Sequence, residues 1–229
     1  MRLRKVSHVS EADHQLVTAA VSAAEAHTSG EIVTIVTDLS DHYEDVAMFW
    51  AGVAAFLALS AIALFPSFYL DLFNRLLGGW EHEYSAGEYV ALIALFAGLK
   101  WLGSWLILQY IPLRLWFTPS FVSTNRVRAR AVALFKVGAE ARTRGRTGIL
   151  IYLSMREHRA ELIADEAIVA KVAPEVWGDA MLALIDNVRA GRPGEGMAEA
   201  VRQVGIVLAE HFPQGSDNPN ELPDRLIEL

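Results

Sequence analysis

The sequence contains no cysteine among its 229 residues. It therefore forms no disulfide, offers no thiolate nucleophile and binds no metal through cysteine. It also lacks an excess of basic residues, since its formal net charge is −7, and this argues against a nucleic-acid partner because phosphate binding needs a concentrated basic face. The arginines that do cluster favour a helix face near anionic lipid headgroups; they are Arg126, Arg128, Arg130, Arg142, Arg144 and Arg146.

Motifs that identify common enzymes are absent as well. The sequence has no nucleotide-binding loop, no G-x-S-x-G motif and no H-E-x-x-H pair. The glycine-rich segment 191–196 follows a predicted helix and lacks the Lys-Ser/Thr ending, which is typical of a helix connector. Glu157, His158 and Glu161 lie in or beside a predicted turn, and this position favours a solvated turn over a metal site.

Two long apolar stretches dominate what is present. Residues 46–70 carry no charged side chain, and a second apolar run covers residues 89–111. About 20 apolar residues suffice to cross the core of a bilayer. The pattern predicts a transmembrane helical hairpin over residues 46–116, with spans at about 46–66 and 89–111. No signal peptide is predicted, because charged residues follow the basic N-terminus where an apolar core is required.

The distribution of basic residues predicts the orientation of this hairpin. The loop at residues 71–88 holds one basic residue, Arg75, whereas Arg114 and three further arginines follow the second span. Since Lys and Arg near the membrane ends favour the cytoplasmic side, we expect the loop outside and both termini in the cytoplasm. The predicted location is the bacterial inner membrane, with the lipid bilayer as a partner.

The remaining segments predict one soluble domain that the hairpin interrupts. The expected helices are 10–27, 121–144, 165–172, 174–190 and 195–212, the expected strands are 31–38, 149–154 and 159–164, and 213–229 is expected to be a polar tail. Residues 1–45 form the first part of this domain and 117–212 the second. The predicted class is α/β, a small mixed sheet covered by helices, with a β-α-β crossover into which the hairpin is inserted after the first strand.

Two aspartates are candidate metal ligands. Asp38 and Asp165 each follow a predicted strand, and they would share one sheet edge if those strands ran parallel. Ligands of open α/β sheets bind beyond the carboxyl ends of strands, and paired carboxylates suit a hard divalent cation. The alternative is that each aspartate caps the segment that follows it. No other cofactor is predicted.

Lys100 is the candidate partner-binding residue. It lies in the middle of the second apolar run, where insertion of a lysine costs roughly 2.5–3.5 kcal/mol. In one interpretation the span tilts or the side chain snorkels to the interface. In the other, the ammonium group meets a carboxylate or a cofactor of another subunit.

The soluble parts resemble the TPM domain family. The resemblance rests on three segments, residues 28–36 (TSGEIVTIV), 146–154 (RTGILIYLS) and 157–165 (EHRAELIAD), while the Trp177 region and residues 220–224 (NELPD) look like a bacterial membrane-anchored subgroup. Some plant relatives are described as acid phosphatases with a calcium-associated acidic site. The family commonly has Asp-Asn before the glycine that corresponds to Gly148, and this chain has Arg146 and Thr147 there, without those oxygen ligands.

Two functions of different classes follow from these observations. The first is a non-enzymatic inner-membrane accessory protein that binds, assembles or maintains an integral-membrane protein complex. The second is a membrane-tethered phosphatase or other hydrolase that depends on a divalent metal held by Asp38 and Asp165. The missing catalytic motifs favour the first.

Overall fold

The computed structural model describes residues 9–77, 85–138, 147–215 and 222–229. The chain divides into two compact units, a first unit of Met1–Asp41 with Ser120–Leu229 and a second unit of His42–Pro119. The first unit contains α1 (Glu11–Glu25), β1 (Glu31–Thr37), α6 (Ser120–Gly138), β2 (Gly148–Ser154), β3 (Arg159–Ala164), α7 (Glu166–Val169), a 3-10 helix (Pro174–Trp177), α8 (Gly178–Arg189), α9 (Pro193–His211) and β4 (Ile227–Glu228). The second unit contains α2 (Glu44–Leu64), α3 (Pro66–Leu77), α4 (Ala86–Ile107) and α5 (Ile111–Trp116).

Local sequence signals set several of these boundaries. Ser10 and Asp13 form the predicted capping box at the start of α1, where the Ser10 hydroxyl accepts from the Asp13 amide and the Asp13 carboxylate accepts from the Ser10 amide. Gly191 follows α8 with φ of 76°, a backbone conformation that glycine adopts without steric cost. The predicted ends of these helices are therefore confirmed to within a few residues.

The four strands form one mixed sheet in the order β3-β2-β1-β4. β1 runs parallel to both β2 and β4, whereas β3 runs antiparallel to β2. Every residue of β1 is buried, because β2 and β4 flank it and its side chains enter the clusters on both faces of the sheet. Both neighbouring strands come from the part of the chain that follows the second unit. This confirms the predicted fold class and the predicted interior position of the first strand.

Helices cover both faces of the sheet. On one face, α6 packs on β1 and β2 through Val127, Ala131 and Phe135. On the other face, α1, α8 and α9 build the larger cluster. Gly205 lets α9 approach α1 closely, since a Cβ atom there would lie 2.6 Å from the Cβ of Ala24. The first unit is thus a three-layer structure of helix, sheet and helices.

The C-terminal residues depart from the prediction of a polar tail over 213–229. Leu222 and Leu226 are buried, and Ile227 and Glu228 pair with β1 as β4. The backbone amide of Leu222 also donates to the carboxylate of Glu31 at 3.1 Å. A two-residue strand is too short to produce an alternating pattern, so the sequence carried no visible signal for it.

Within the second unit, α2 and α4 have 21 and 22 residues and are apolar enough to cross a membrane. Only 22% and 6% of their most apolar windows are buried, whereas the core helix of a soluble protein is mostly buried. The long apolar faces of both helices therefore lie exposed. α3 follows α2 directly, and the segment 78–84 between α3 and α4 lies outside the described residues.

Candidate functional site at the carboxyl edge of the parallel strands

β1 and β2 end side by side at the edge of the sheet where α/β proteins usually bind ligands. Thr37 pairs with Ser154 at this edge. The chain then leaves β1 through residues 38–41 and leaves β2 through the turn at residues 155–158, which joins β2 to β3 as predicted. The polar side chains of these two connections make the richest hydrogen-bonding cluster of the described first unit.

Three hydroxyl groups and one carboxylate form a connected network at this edge. The Ser40 hydroxyl lies 2.9 Å from the Tyr152 hydroxyl and 2.9 Å from the Ser154 hydroxyl. The Ser154 hydroxyl donates to Glu157 at 2.5 Å, and the Ser40 amide donates to the same carboxylate at 2.9 Å. We call Ser40, Tyr152, Ser154 and Glu157 the edge network.

The chemistry open to the edge network is limited by burial. Tyr152 and Ser154 are fully buried, so a substrate cannot reach the Ser154 hydroxyl, although this hydroxyl donates a hydrogen bond to the Glu157 carboxylate. Burial also raises the pKa of Tyr152, which keeps the phenol neutral. A serine nucleophile needs both a base and access to the substrate. The edge network supplies the base but not the access. Its hydrogen bonds hold Ser40, in the connection after β1, against the end of β2.

Asp38 lies beside the edge network and is engaged by an arginine. Its carboxylate accepts from Nε of Arg156 at 3.0 Å, and the two side chains remain about one-third exposed. A second ion pair joins Arg126 of α6 to Asp41 at 3.0 Å. These two ion pairs hold the connection of residues 38–41 to the turn after β2 and to α6.

Asp165 lies at the opposite end of the sheet. Because β3 is antiparallel to β2, its last residue pairs with Ile149 at the start of β2, whereas Asp38 follows the end of β1. Asp165 follows the last residue of β3 and lies opposite Gly148, which pairs with Glu31. Seven residue steps therefore separate Asp165 from Asp38, which is about 23 Å at the rise of a strand. The prediction that Asp38 and Asp165 share one metal site is therefore wrong, since it required the two strands to run parallel.

The side chain of Asp165 serves the sheet itself. It is buried, and its carboxylate accepts the amide of Gly148 at 2.9 Å while its own amide donates to the Gly148 carbonyl at 2.9 Å. The side chain thus closes the β2–β3 pair and makes no capping hydrogen bond to α7, the segment that follows it. Among the described residues, no group of three or more His, Asp or Glu side chains is placed to hold a metal ion.

A buried carboxyl group that the sequence did not suggest lies at the start of β1. Glu25 accepts the amide of Ile32 at 2.7 Å through one oxygen, while its other oxygen is buried without a hydrogen-bond partner. Burial, with the nearby carboxylates of Glu31 and Asp224, raises the pKa of Glu25 to about 8. Its position in the last turn of the amphipathic helix α1 gives no sequence signal that its carboxyl group is buried.

Lys100 lies on α4 in the second unit and is exposed. Its ammonium lies 5.4 Å from the centre of the Phe96 ring, one helical turn towards the N-terminal end of α4. The acidic residues in α2 are Glu44 and Asp45, and α4 has Glu88, all in the first helical turns. Neither span thus supplies a carboxylate near the middle of its length.

Arg114, which the sequence marks only as a topology signal, makes several hydrogen bonds inside the second unit. It is buried in the second unit and donates to the carbonyl oxygens of Leu108 at 2.7 Å and His42 at 2.5 Å, and to the side chain of Gln109 at 2.9 Å. The guanidinium group therefore connects His42, two residues before α2, to Leu108, the residue after α4. No sequence pattern distinguishes this arginine from the others that follow the second span.

Comparison with known proteins bears on the fold. No family model and no curated protein matches the sequence. The structure is similar to the NMR structure of the BA42 protein from the psychrophilic bacterium Bizionia argentinensis, with a TM-score of 0.56, 15% sequence identity and coverage of 99% of each chain. The likeness is one of fold.

Proposed function

We propose that this chain is a non-enzymatic accessory protein of the bacterial inner membrane that binds, assembles or maintains an integral-membrane protein complex. The single observation that carries the proposal is the exposed ammonium group of Lys100 on an apolar helix long enough to span a bilayer. Ionisable residues inside a membrane span mark partner, ion or substrate sites because their burial in lipid is costly. The TPM-like fold of the first unit supplies the soluble part of this accessory protein.

The depth of Lys100 in α4 supports a partner. Lys100 is seven residues from Ile107, the last residue of α4, which is about 10 Å along the helix. Its ammonium lies over Phe96, in the N-terminal direction that helical side chains generally take. A carboxylate from another subunit would neutralise the charge at the depth where it lies.

The membrane orientation belongs to the same proposal. α2 and α4 cross the inner membrane, the segment between them faces out, and the first unit and both termini are cytoplasmic. The basic residues that follow the second span support this orientation, with Arg114 at the end of the hairpin. Two spans return the chain to the side from which it entered.

The hydrolase alternative finds no support in the geometry of its proposed ligands. Asp38 pairs with Arg156, and Asp165 caps the opposite end of the sheet. The edge network provides a buried serine beside a carboxylate but no access for a substrate. The arrangement of these residues suits a structural role.

Replacing Lys100 with Leu tests the accessory function. We expect Lys100→Leu to insert at least as well as the wild-type chain, because it removes the charge from the span, and to lose the co-purifying membrane subunits after mild detergent extraction. Lys100→Arg is the matched control, since it keeps the positive charge, and it should retain those subunits at least in part. Both membrane level and co-purification are measured by quantitative mass spectrometry.

Full retention of the partner subunits by the Lys100→Leu chain would reject the role of this residue in assembly. Equal loss from Lys100→Leu and Lys100→Arg, with normal membrane levels, would show that the shape of the lysine rather than its charge matters, and would reject the carboxylate partner.

A further inference from the structure

We propose that a groove beside β3 binds an extended peptide segment of a partner protein, which adds to the sheet as a fifth strand. The segment has apolar side chains at alternate positions and an acidic residue at the position opposite Arg159. This inference concerns the first unit alone and does not depend on Lys100 or on the membrane.

The outer edge of β3 offers unpaired backbone groups. β3 is the edge strand of the sheet, and no described strand lies beyond it. The Asp165 amide donates to Gly148, and residues of an antiparallel pair alternate between those that bond to the partner strand and those that do not. Counting back from Asp165, the amide and carbonyl groups of Ala160, Leu162 and Ala164 point outward. Such an edge is a template for another strand.

Helices on both sides turn this edge into the floor of a groove. The groove has a volume of about 420 Å³, and its walls come from α6 on one side and from the 3-10 helix and α8 on the other. Val132 lines the first wall, while Trp177 and Met181 line the second. All six residues of β3 are half-buried rather than exposed, because the walls rise above the strand. The groove is open along the strand, where five residues of β3, 160–164, contribute to it.

The two walls of the groove would contact different side chains of the bound strand. Ile163 packs against the cluster on the α6 side, whereas Ala160, Leu162 and Ala164 pack against the cluster on the α8 side. Side chains of neighbouring strands that lie opposite each other share a face. The bound residues opposite Ala160, Leu162 and Ala164 therefore face the apolar wall, and those between them face α6.

The α6 side of the groove carries a net positive charge. Arg128 is 69% exposed, and its guanidinium group lies 3.9 Å from the carboxylate of Glu161. Arg159 donates to the Ser123 hydroxyl and the Ser120 carbonyl, which are neutral oxygens. Two guanidinium groups thus surround one carboxylate, whose side chain is largely buried. An acidic residue opposite Arg159 complements this charge, and a neutral residue opposite Glu161 avoids repulsion.

A single extended segment fits this groove better than a second copy of the chain. In a second copy, α6 and α8 flank β3 in the same way, so two copies that pair edge to edge would bring their groove walls into collision. A peptide has no such walls. Main-chain hydrogen bonds would supply affinity, and the alternating walls would supply specificity.

The test uses the full chain in a nonionic detergent and the fluorescently labelled peptide Val-Thr-Val-Thr-Val-Asp, capped at both ends, together with its reversed sequence. Fluorescence anisotropy measures binding, and we expect saturable binding of at least one of the two. In the first peptide, which pairs antiparallel to β3, N-methylation of the three valines blocks the amides that would face β3 and should weaken binding about tenfold or more. In the same peptide, N-methylation of the two threonines alters amides that face away and should leave binding within about threefold. In the reversed peptide, which pairs parallel, the threonine amides face β3 and the effects of the two methylations are exchanged. The two methylated peptides are similarly apolar, so adhesion to the micelle would not separate them.

Charge and edge variants complete the test. Replacing the Asp of the peptide with Lys should weaken binding about two- to tenfold, and Arg128→Glu should reduce or reverse this preference. Leu162→Pro removes an outward amide at a position where an edge strand tolerates proline, and it should abolish binding, whereas Leu162→Thr should bind. If Leu162→Pro fails to fold, the methylated peptides decide the question without it.

Three results would overturn the proposal. The first is no saturable binding, or equal binding of the two methylated peptides. The second is equal or tighter binding of the Lys peptide to the wild-type chain. The third is a dimer, detected by sedimentation, that Arg128→Glu dissociates while neither peptide binds, which would assign the groove to a second copy.

Discussion

Replacing Glu25 with Gln tests whether a buried carboxyl group makes the first unit less stable as the pH rises. One oxygen of Glu25 accepts the Ile32 amide at 2.7 Å, and the other is buried without a hydrogen-bond partner. Burial first, and then the carboxylates of Glu31 and Asp224, raise the pKa of this group from 4.5 to about 8. Between these two values the folded protein binds a proton that the unfolded chain does not bind.

The sign of the effect follows from this difference in proton binding. The stabilisation from protonated Glu25 is fully present below pH 4.5 and is lost as the pH rises towards 8. A difference of this size corresponds to at most about 5 kcal/mol, and because the side chain is partly exposed we expect roughly 2–4 kcal/mol. Glu25→Gln keeps an acceptor for the Ile32 amide and does not ionise. It should flatten the dependence of stability on pH between 5 and 8 and stabilise the protein at pH 8.

The measurement is urea unfolding of the full chain in a nonionic detergent from pH 5 to 8.5, followed by hydrogen exchange of peptides that span β1 and β2. Glu199→Gln is the matched control. Gln203 and then Arg202 lower the pKa of Glu199, so its contribution is present at neutral pH and is lost only in acid. The control should keep the wild-type slope between pH 5 and 8. An unchanged slope in Glu25→Gln would refute the assignment of a proton to this carboxyl.

Three further predictions concern the core, the hairpin and the orientation. Ile35→Ala should destabilise the first unit by roughly 2–5 kcal/mol in the same urea assay, because it removes a buried side chain. Ile206→Ala, at an exposed position, should change the free energy of unfolding by no more than about 0.5 kcal/mol. Equal effects of the two substitutions would show that Ile35 is not in the core. Arg114→Met leaves buried carbonyl groups without their donor and should destabilise the second unit by about 3 kcal/mol, measured by denaturing-detergent titration; a wild-type midpoint would contradict its role. A cysteine at Ser85 should react with an impermeant thiol reagent on intact cells, and one at Gln214 only after lysis; the opposite pattern would reverse the orientation.

Much of the fold could be predicted because its signals are local. The capping box of α1, the β-branched run of β1 and the glycine after α8 each act within a few residues of the boundary that they set. β4 could not be predicted, since its two residues are held by long-range pairing with β1. The side chains that tie distant segments together, such as Arg114 and Glu25, carried no local signal either.

The error about Asp38 and Asp165 has a different origin. The turn at residues 155–158 was predicted correctly, and a tight hairpin reverses the chain. The end of β3 must then return to the edge where β2 begins, and the two aspartates cannot meet. The strands end where the sequence predicts, but the hairpin makes β3 antiparallel to β2, so β3 ends at the opposite edge from β1.

The central position of β1 has a consequence for biogenesis. β1 leaves the ribosome long before β2, and its buried Val and Ile side chains have no sheet to enter until residues 148–154 have been made. If only one of α2 and α4 enters the bilayer, β1 and β2 lie on opposite sides of the membrane and the sheet never forms. If α2 and α4 cross a membrane as proposed, completion of the sheet would act as a checkpoint on their insertion. A chain with the wrong number of spans exposes an unpaired apolar strand, which quality-control proteases can recognise.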